Sequence, residues 1–132
     1  MSKTHGVIIL LLLCCTMVFP QAAASPTRFV PCRSQPRLVG KCFAVRGRLS
    51  VYNGSPSVRL WKVGTHRMLG VSDSYTKEGV HHLPPNVAKA LGEWQREVWG
   101  DYVVCPFTRE KPEEMQLVCI ASGKNLFSRA RQ

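Results

Sequence analysis

The stretch from Cys42 to Val71 constrains the fold most, because it alternates apolar and polar side chains and then reverses direction. The apolar members of its first run are Phe43, Val45, Leu49 and Val51. This period of two predicts a half-buried strand. Asn53-Gly54 then favours a tight turn with positive φ at both positions. The run 58–63 is rich in β-branched and aromatic residues and predicts the returning strand, followed by a third strand at Met68 to Val71.

The second half of the chain predicts one helix and two more strands. Pro84-Pro85 favours a helix start, and apolar residues then recur at helical spacing: Val87, Leu91, Trp94 and Val98. We therefore expect a helix from about Pro85 to Val98 that stops near Gly100. Further strands are predicted at 101–107 and 115–120. This mainly β order matches the OB-fold, a five-stranded Greek-key barrel with its helix between strands three and four. A transthyretin-like antiparallel β-sandwich is the alternative.

The N-terminus predicts a secretory signal peptide over residues 1–24. Lys3 precedes an apolar run from Val7 to Phe19, and Ala22 to Ala24 offers the small residues of a cleavage site. Removal of this segment would take Cys14 and Cys15 with it. We expect no membrane anchor in the mature chain, and a periplasmic or secreted location.

The remaining chain divides into three parts by composition. Residues 25–40 contain Pro26, Pro31 and Pro36 and predict an extended proline-rich arm, because proline is excluded from helix interiors and central strands. Residues 41–127 are expected to form a single β domain. Residues 128–132 lose the apolar pattern and predict a frayed basic tail.

Four cysteines remain after the signal: Cys32, Cys42, Cys105 and Cys119. An even number in a small exported domain indicates disulfides, with three possible pairings. If the last hairpin is symmetric about Pro112, Cys105 faces Cys119 at a distance that suits a disulfide. That leaves a Cys32–Cys42 bridge. No Cys-x-x-Cys occurs, so a thioredoxin-like site or a paired zinc knuckle is not indicated.

The chain is basic, and its basic residues alternate with aromatic ones in the predicted hairpin. Its formal net charge is +10, which loss of the signal lowers by one. Such an excess favours acidic partners such as nucleic acid, anionic lipid headgroups or acidic glycans. The candidate binding residues share strand parity: Arg46, Arg48 and Tyr52 on the first strand, Arg59 and Trp61 on the second. Guanidinium groups bind phosphate or carboxylate, and flat rings stack on sugars or bases. In the alternative interpretation, Trp61 is core and the arginines only solvate the outer face.

Catalytic chemistry is not indicated by the sequence. A catalytic site needs a nucleophile with a base, paired carboxylates or a metal cluster. His81-His82 is the strongest candidate, but adjacent side chains on an extended chain point in opposite directions and make a poor metal site. His66 lies in the predicted turn between strands two and three. We therefore expect no enzyme activity, no cofactor and no metal, and a hydrolase using His66 or His81 is the least favoured hypothesis.

A family resemblance agrees with this interpretation. The runs CFAVRGRLSVYNGSPSVRLWKVGTHRMLGV and DYVVCPFTREKPEEMQLVC resemble small exported bacterial proteins of uncharacterised function. The resemblance implies a bacterial, periplasmic or secreted setting and carries no site residue with it. The sequence as a whole predicts an exported non-enzymatic domain that binds an anionic ligand or envelope component. The alternative is an envelope structural or protein-interaction module, for example an inhibitor or an assembly subunit.

Overall fold

Five strands and one short helix make up the described part of the chain. The structure, a computed structural model, describes residues 31–72, 83–92 and 95–132. Within these residues the elements are β1 (Phe43–Val51), β2 (Val58–Lys62), β3 (Met68–Val71), α1 (Pro85–Leu91), β4 (Arg96–Pro106) and β5 (Gln116–Ala130). The predicted order of three strands, a helix and two strands is confirmed. A 3-10 turn at Cys32–Ser34 precedes them.

The predicted hairpin is present, but its turn is longer than two residues. β1 pairs with β2 in the register Val51↔Val58, and the Tyr52 N–H donates to the Ser57 carbonyl at 2.8 Å. Gly54 has the expected positive φ of 101°, whereas Asn53 does not have a positive φ. A two-residue turn at Asn53-Gly54 would place Pro56 inside the ladder, where it has no N–H to donate. The loop therefore spans residues 52–57, and the prediction of a tight turn is wrong.

The five strands form one mixed sheet whose order closes on itself. β1 lies between β2 and β4, β2 pairs with β3, and β4 pairs with β5. β3 and β5 complete the order β1-β2-β3-β5-β4 through a parallel pairing of Leu69–Val71 with Gln116–Val118. Each strand thus has a neighbour on both sides, and this arrangement protects backbone groups that an open edge would expose.

The inward side chains and α1 form the main core. Its fully buried members include Leu49, Leu60, Tyr102, Val104, Val118 and Ile120. Val87 and Leu91 join the same cluster from α1. The helix lies close to β5: Asn86 Nδ2 donates to the Gly123 carbonyl at 2.8 Å, and a Cβ at Gly123 would lie 2.6 Å from Val87 Cγ2. Glycine at this position therefore lets the helix approach the sheet.

The helix is shorter than its apolar spacing predicts. It ends at Leu91, where the Gly92 N–H donates to the Ala88 carbonyl and Gly92 has a φ of 50°, a conformation that favours glycine. Val98 belongs to β4 and is buried there, so its helical spacing from Leu91 is a coincidence. Trp94 lies outside the described residues.

The C-terminal residues are part of the sheet. β5 continues to Ala130, and beyond it the Arg131 N–H donates to the Gln95 carbonyl at 2.6 Å. The prediction of a frayed tail from Ser128 is therefore wrong for these residues. Asn125 adopts a positive φ of 51°, and the β4–β5 register shifts beside it, between Trp99 and Asp101. This bulge interrupts the alternation of apolar residues, which is why the pattern is lost in the sequence.

Both disulfides differ from the predicted pairing. Cys32 is bonded to Cys119 and Cys42 to Cys105. The expectation that Cys105 faces Cys119 is confirmed, because the two are directly opposed in the β4–β5 ladder. However, β4 also pairs with β1, and Cys42 immediately precedes β1 at the position next to Cys105. All four predicted cysteines are thus in disulfides, which indicates an oxidising, non-cytoplasmic location.

Candidate functional site

Arg48 of β1 lies between two tryptophans on the outer face of the sheet. Trp61 of β2 and Trp99 of β4 are its direct neighbours in the two ladders. The Arg48 guanidinium carbon lies 5.1 Å from the centre of the Trp61 ring and 5.8 Å from the centre of the Trp99 ring. The two rings meet edge to face, with their centroids 5.9 Å apart. A cation within about 6 Å of a ring is attracted to the negative face of that ring.

A buried carboxylate holds this arrangement in place. Glu97 is only 6% exposed, although it lies on the outer side of β4. Arg48 Nη1 lies 3.3 Å from Glu97 Oε1, and Arg129 Nε of β5 lies 3.3 Å from Glu97 Oε2. Arg129 also lies over the Trp99 ring at 5.1 Å. Ser50, opposite Glu97 in the ladder, is small enough to leave room for these longer side chains. One carboxylate therefore compensates part of the charge of two arginines.

Tyr52, just after the end of β1, contacts a second group of arginines. The Arg59 and Arg131 guanidinium carbons lie 5.3 Å and 4.6 Å from the centre of its ring. Arg48 Nη2 donates to the Tyr52 hydroxyl at 3.4 Å. Arg59 and Arg131 also donate to backbone carbonyls, those of Pro56 and Val51. No carboxylate of the described residues forms an ion pair with either of these two arginines.

These two groups form one continuous surface, which we call the arginine–aromatic face. Its members are Arg48, Tyr52, Arg59, Trp61, Glu97, Trp99, Arg129 and Arg131. Four arginines and one carboxylate give it a clear positive charge. The charge is least compensated at Tyr52, where the distances to one ring centre place the Arg59 and Arg131 guanidinium carbons at most about 10 Å apart. At about 10 Å the repulsion between two unit charges is about 0.4 to 1.7 kcal/mol, depending on the local dielectric, and it is larger at a shorter separation.

Arg46 was predicted to join this surface but is engaged elsewhere. Its Nη1 lies 3.0 Å from Asp101 Oδ1, and the side chains are 74% and 42% exposed. Asn125 Nδ2 donates to the other Asp101 oxygen at 2.8 Å. The pKa of Asp101 is lowered, first by the hydrogen bond from Asn125 and further by the charge and hydrogen bond of Arg46. Arg46 therefore borders the face as half of an exposed ion pair.

The sequence thus identified four members of the face, namely Arg48, Tyr52, Arg59 and Trp61. It missed Glu97, Trp99, Arg129 and Arg131. The sequence does contain a pattern that indicates Glu97 and Trp99, because Glu97, Trp99 and Asp101 alternate with inward residues through β4. The predicted helix concealed this alternation, and the predicted tail removed the two arginines from consideration.

Space for a ligand exists beside Trp61. A cavity of about 490 Å³ is lined by Arg48, Trp61, Thr65, His66 and Met68. Trp61 is half-buried and outside the core cluster, and its Nε1 donates to the Thr65 carbonyl at 2.8 Å. The interpretation of Trp61 as a core residue is therefore wrong. On the side of Trp99 away from Arg48, Phe127 is the neighbour of Trp99 in the β4–β5 ladder, and it is 63% exposed.

The remaining candidates for chemistry are the histidines, a buried tyrosine and a group of cysteines. His66 is exposed in the turn before β3, and His81-His82 lies outside the described residues. Burial raises the pKa of Tyr102, whose hydroxyl donates to the Val98 carbonyl at 2.8 Å. Of the described histidines, cysteines and carboxylates, only Cys32, Cys105 and Cys119 cluster closely enough to hold a metal ion, and their sulfurs are in disulfides.

Comparison of the chain with protein-family models, with curated protein sequences and with solved structures gave no match. The resemblance to exported bacterial proteins therefore stays a prediction. No helix in the described part of the chain has the length and apolar character of a membrane span.

Proposed function

We propose that this protein is an exported, non-enzymatic domain that binds an anionic ligand through the arginine–aromatic face. The observation that carries the proposal is the pair Arg59 and Arg131, whose guanidinium carbons both lie within 5.3 Å of the Tyr52 ring centre. Neither forms an ion pair with a carboxylate among the described residues. A phosphate, sulfate or carboxylate bound at this end of β1 would offset their charge and accept charge-assisted hydrogen bonds. Nucleic acids, acidic glycans and anionic lipid headgroups all present such groups.

The rigidity of the face supports this assignment. Arg48 is fixed by Glu97 and by the rings of Trp61 and Trp99, so it does not need to be ordered when a ligand binds. Preorganised side chains lose less conformational entropy on binding, and this increases affinity. The closed strand order favours an OB-type barrel over a sandwich, and we propose that fold as the scaffold of the face.

Binding to defined polyanions tests the proposal. We would measure the affinity of the full-length mature chain for a polyphosphate, a sulfated glycan, a single-stranded oligonucleotide and vesicles of anionic lipid. Arg59→Ala/Arg131→Ala should lose roughly 100-fold in affinity, because two charged hydrogen bonds contribute about 3 kcal/mol together. The slope of log affinity against log salt should decrease by about two.

A matched variant separates a site from overall charge. Arg96→Ala/Arg109→Ala removes the same charge from outside the face, where Arg96 contacts Ser128 and Arg109 is exposed. If both double variants lose the same affinity, or if the protein binds none of the four probes at low salt, the arginine–aromatic face is not a binding site. The probe that binds most tightly identifies the source of the anion.

A protein-interaction role in the envelope is the second candidate, favoured by the exposed Phe127 ring. It predicts a protein partner that is recovered by cross-linking and whose binding does not depend on polyanions.

We also propose a periplasmic or secreted location after cleavage at Ala24. Cell fractionation and the intact mass of the purified protein test this proposal, and the mass should match a chain that begins at Ser25. A full-length chain in the cytoplasm would contradict it.

A further inference from the structure

Three cysteines lie side by side across three neighbouring strands. Phe43 of β1 pairs with Val104 of β4, so Cys42 continues the same register next to Cys105. Cys105 in turn directly opposes Cys119 of β5. The middle cysteine therefore has a cysteine neighbour on each side. It is bonded to Cys42, at a Cα separation of 4.0 Å, while Cys119 is bonded to Cys32 of the arm.

The two disulfides bring their sulfur atoms close to one another. The Sγ atoms of Cys32, Cys105 and Cys119 all lie within 4.8 Å of one another. These three cysteines are buried, with exposed fractions of 7%, 0% and 4%. Cys42 is only half-buried. A thiol from solution thus reaches the cluster most readily at Cys42, and access is one of the factors that set exchange rates.

We propose that Cys105 is a thiol–disulfide exchange centre that can pair with either of its two neighbours in this row. A small monothiol, such as glutathione, is the co-reactant that starts the exchange. Its thiolate attacks Cys42 Sγ, a mixed disulfide forms, and the Cys42–Cys105 bond breaks with its electron pair on Cys105. The Cys105 thiolate then attacks Cys119 Sγ, which forms Cys105–Cys119 and releases Cys32 as a thiolate.

The cycle closes without net oxidation or reduction. The Cys32 thiolate attacks Cys42 Sγ in the mixed disulfide, which forms Cys32–Cys42 and returns the monothiol. Two disulfides are present before and after, so a catalytic quantity of thiol is sufficient. The exchange moves the attachment of the arm from β5 to the start of β1. The rate at which the basic arm changes its attachment therefore depends on the thiol content of its surroundings.

A three-cysteine variant tests the exchange without any added thiol. Cys32→Ser leaves one free thiol beside one disulfide. At about pH 8.5, where a free cysteine is half ionised, the Cys119 thiolate should attack Cys105 and release Cys42. Alkylation followed by peptide mass mapping should find the free thiol at both position 42 and position 119, each in more than roughly a tenth of the molecules, and not at position 105. At about pH 5 the exchange should be strongly slowed.

A free thiol confined to position 119 after prolonged incubation would overturn the proposal. Wild-type protein provides a second measurement if the variant does not fold. Incubation of the oxidised, folded chain with a small amount of glutathione should produce peptides linked through Cys105 and Cys119. If only the original Cys32–Cys119 and Cys42–Cys105 links are found, Cys105 does not exchange partners. Circular dichroism before and after treatment confirms that the sheet is intact during the reaction.

Discussion

Arg48, which lies between two tryptophans, forms an ion pair with Glu97, and its Nη1 is 3.3 Å from Oε1 of the carboxylate. The pair links β1 to β4, and Arg129 extends it to β5. Charge that is buried in this way is stable only when it is paired and hydrogen-bonded. Glu97 is therefore the group that fixes the inner arginines, while Arg59 and Arg131 at the edge have no carboxylate partner among the described residues.

Removal of the Glu97 charge should lower stability and increase anion binding. In Glu97→Gln the side chain keeps its shape, but two arginines lose their anionic partner. We expect the free energy of unfolding to decrease by about 1 to 3 kcal/mol, measured by urea denaturation. We also expect the variant to elute from a polyanionic matrix at higher salt, because Arg48 and Arg129 are then less compensated.

Glu114→Gln is the control for this change. Glu114 forms an exposed ion pair with Lys111, and the side chains are 66% and 61% exposed. Exposed pairs contribute about 0 to 1 kcal/mol, so its loss should have little effect on stability. Equal stability of the two variants would show that Glu97 does not organise the face.

Truncation of Tyr52 should separate the role of its ring from that of its hydroxyl. Tyr52→Phe keeps the ring under Arg59 and Arg131 and loses only a long hydrogen bond from Arg48. Tyr52→Ala removes both cation–π contacts, each of which contributes about 0.5 to 1 kcal/mol at an exposed site. We expect polyanion affinity to be nearly unchanged in the first variant and several-fold lower in the second. Similar losses in both variants, measured by titration, would contradict this role of the ring.

Much of the hairpin face could be predicted, because its information is local. Arg48 and Arg59 lie on strands with a clean alternation, and a long loop in place of the tight turn shifts the pairing by two residues rather than one. Side chains consequently stay on their predicted faces. Four of the five predicted residues are brought together for this reason: Arg48, Tyr52, Arg59 and Trp61.

The other half of the face depends on long-range pairing that local patterns do not encode. Val98 fits a helical spacing and a strand spacing equally well, and only the pairing of β4 with β1 decides between them. Arg129 and Arg131 follow a bulge at Asn125 that breaks the alternation. The disulfide pairing failed in the same way, because Cys105 has two cysteine neighbours and the sequence indicated only one of them.

The acid titration of Asp101 should depend on Asn125. The hydrogen bond from the Asn125 amide is the largest single cause of the lowered Asp101 pKa, and the charge and the hydrogen bond of Arg46 lower it further. Since the folded pKa lies below the ordinary value of 3.8, the carboxylate contributes stability that is present above that value and is lost as pH falls through the folded pKa. Asn125→Ala should move the titration midpoint of Asp101 upward, as observed by NMR of its side-chain carbon. A midpoint that does not move would assign the shift to Arg46 instead.

Stability at alkaline pH should depend on Tyr102. The ring is buried and desolvation raises its pKa above the ordinary value of 10.0. Above pH 10 the phenol stays neutral in the folded chain but ionises in the unfolded chain. The contribution of the neutral phenol to the free energy of unfolding is therefore fully present below pH 10 and is lost as pH rises above that value. The loss approaches about 1.4 kcal/mol per pH unit for this one proton. Tyr102→Phe should remove this part of the pH dependence, while it costs about 1 kcal/mol at neutral pH through the hydrogen bond to the Val98 carbonyl. Urea denaturation of both proteins between neutral and strongly alkaline pH measures the difference, and parallel curves would show that Tyr102 ionises as readily in the folded chain as in the unfolded one.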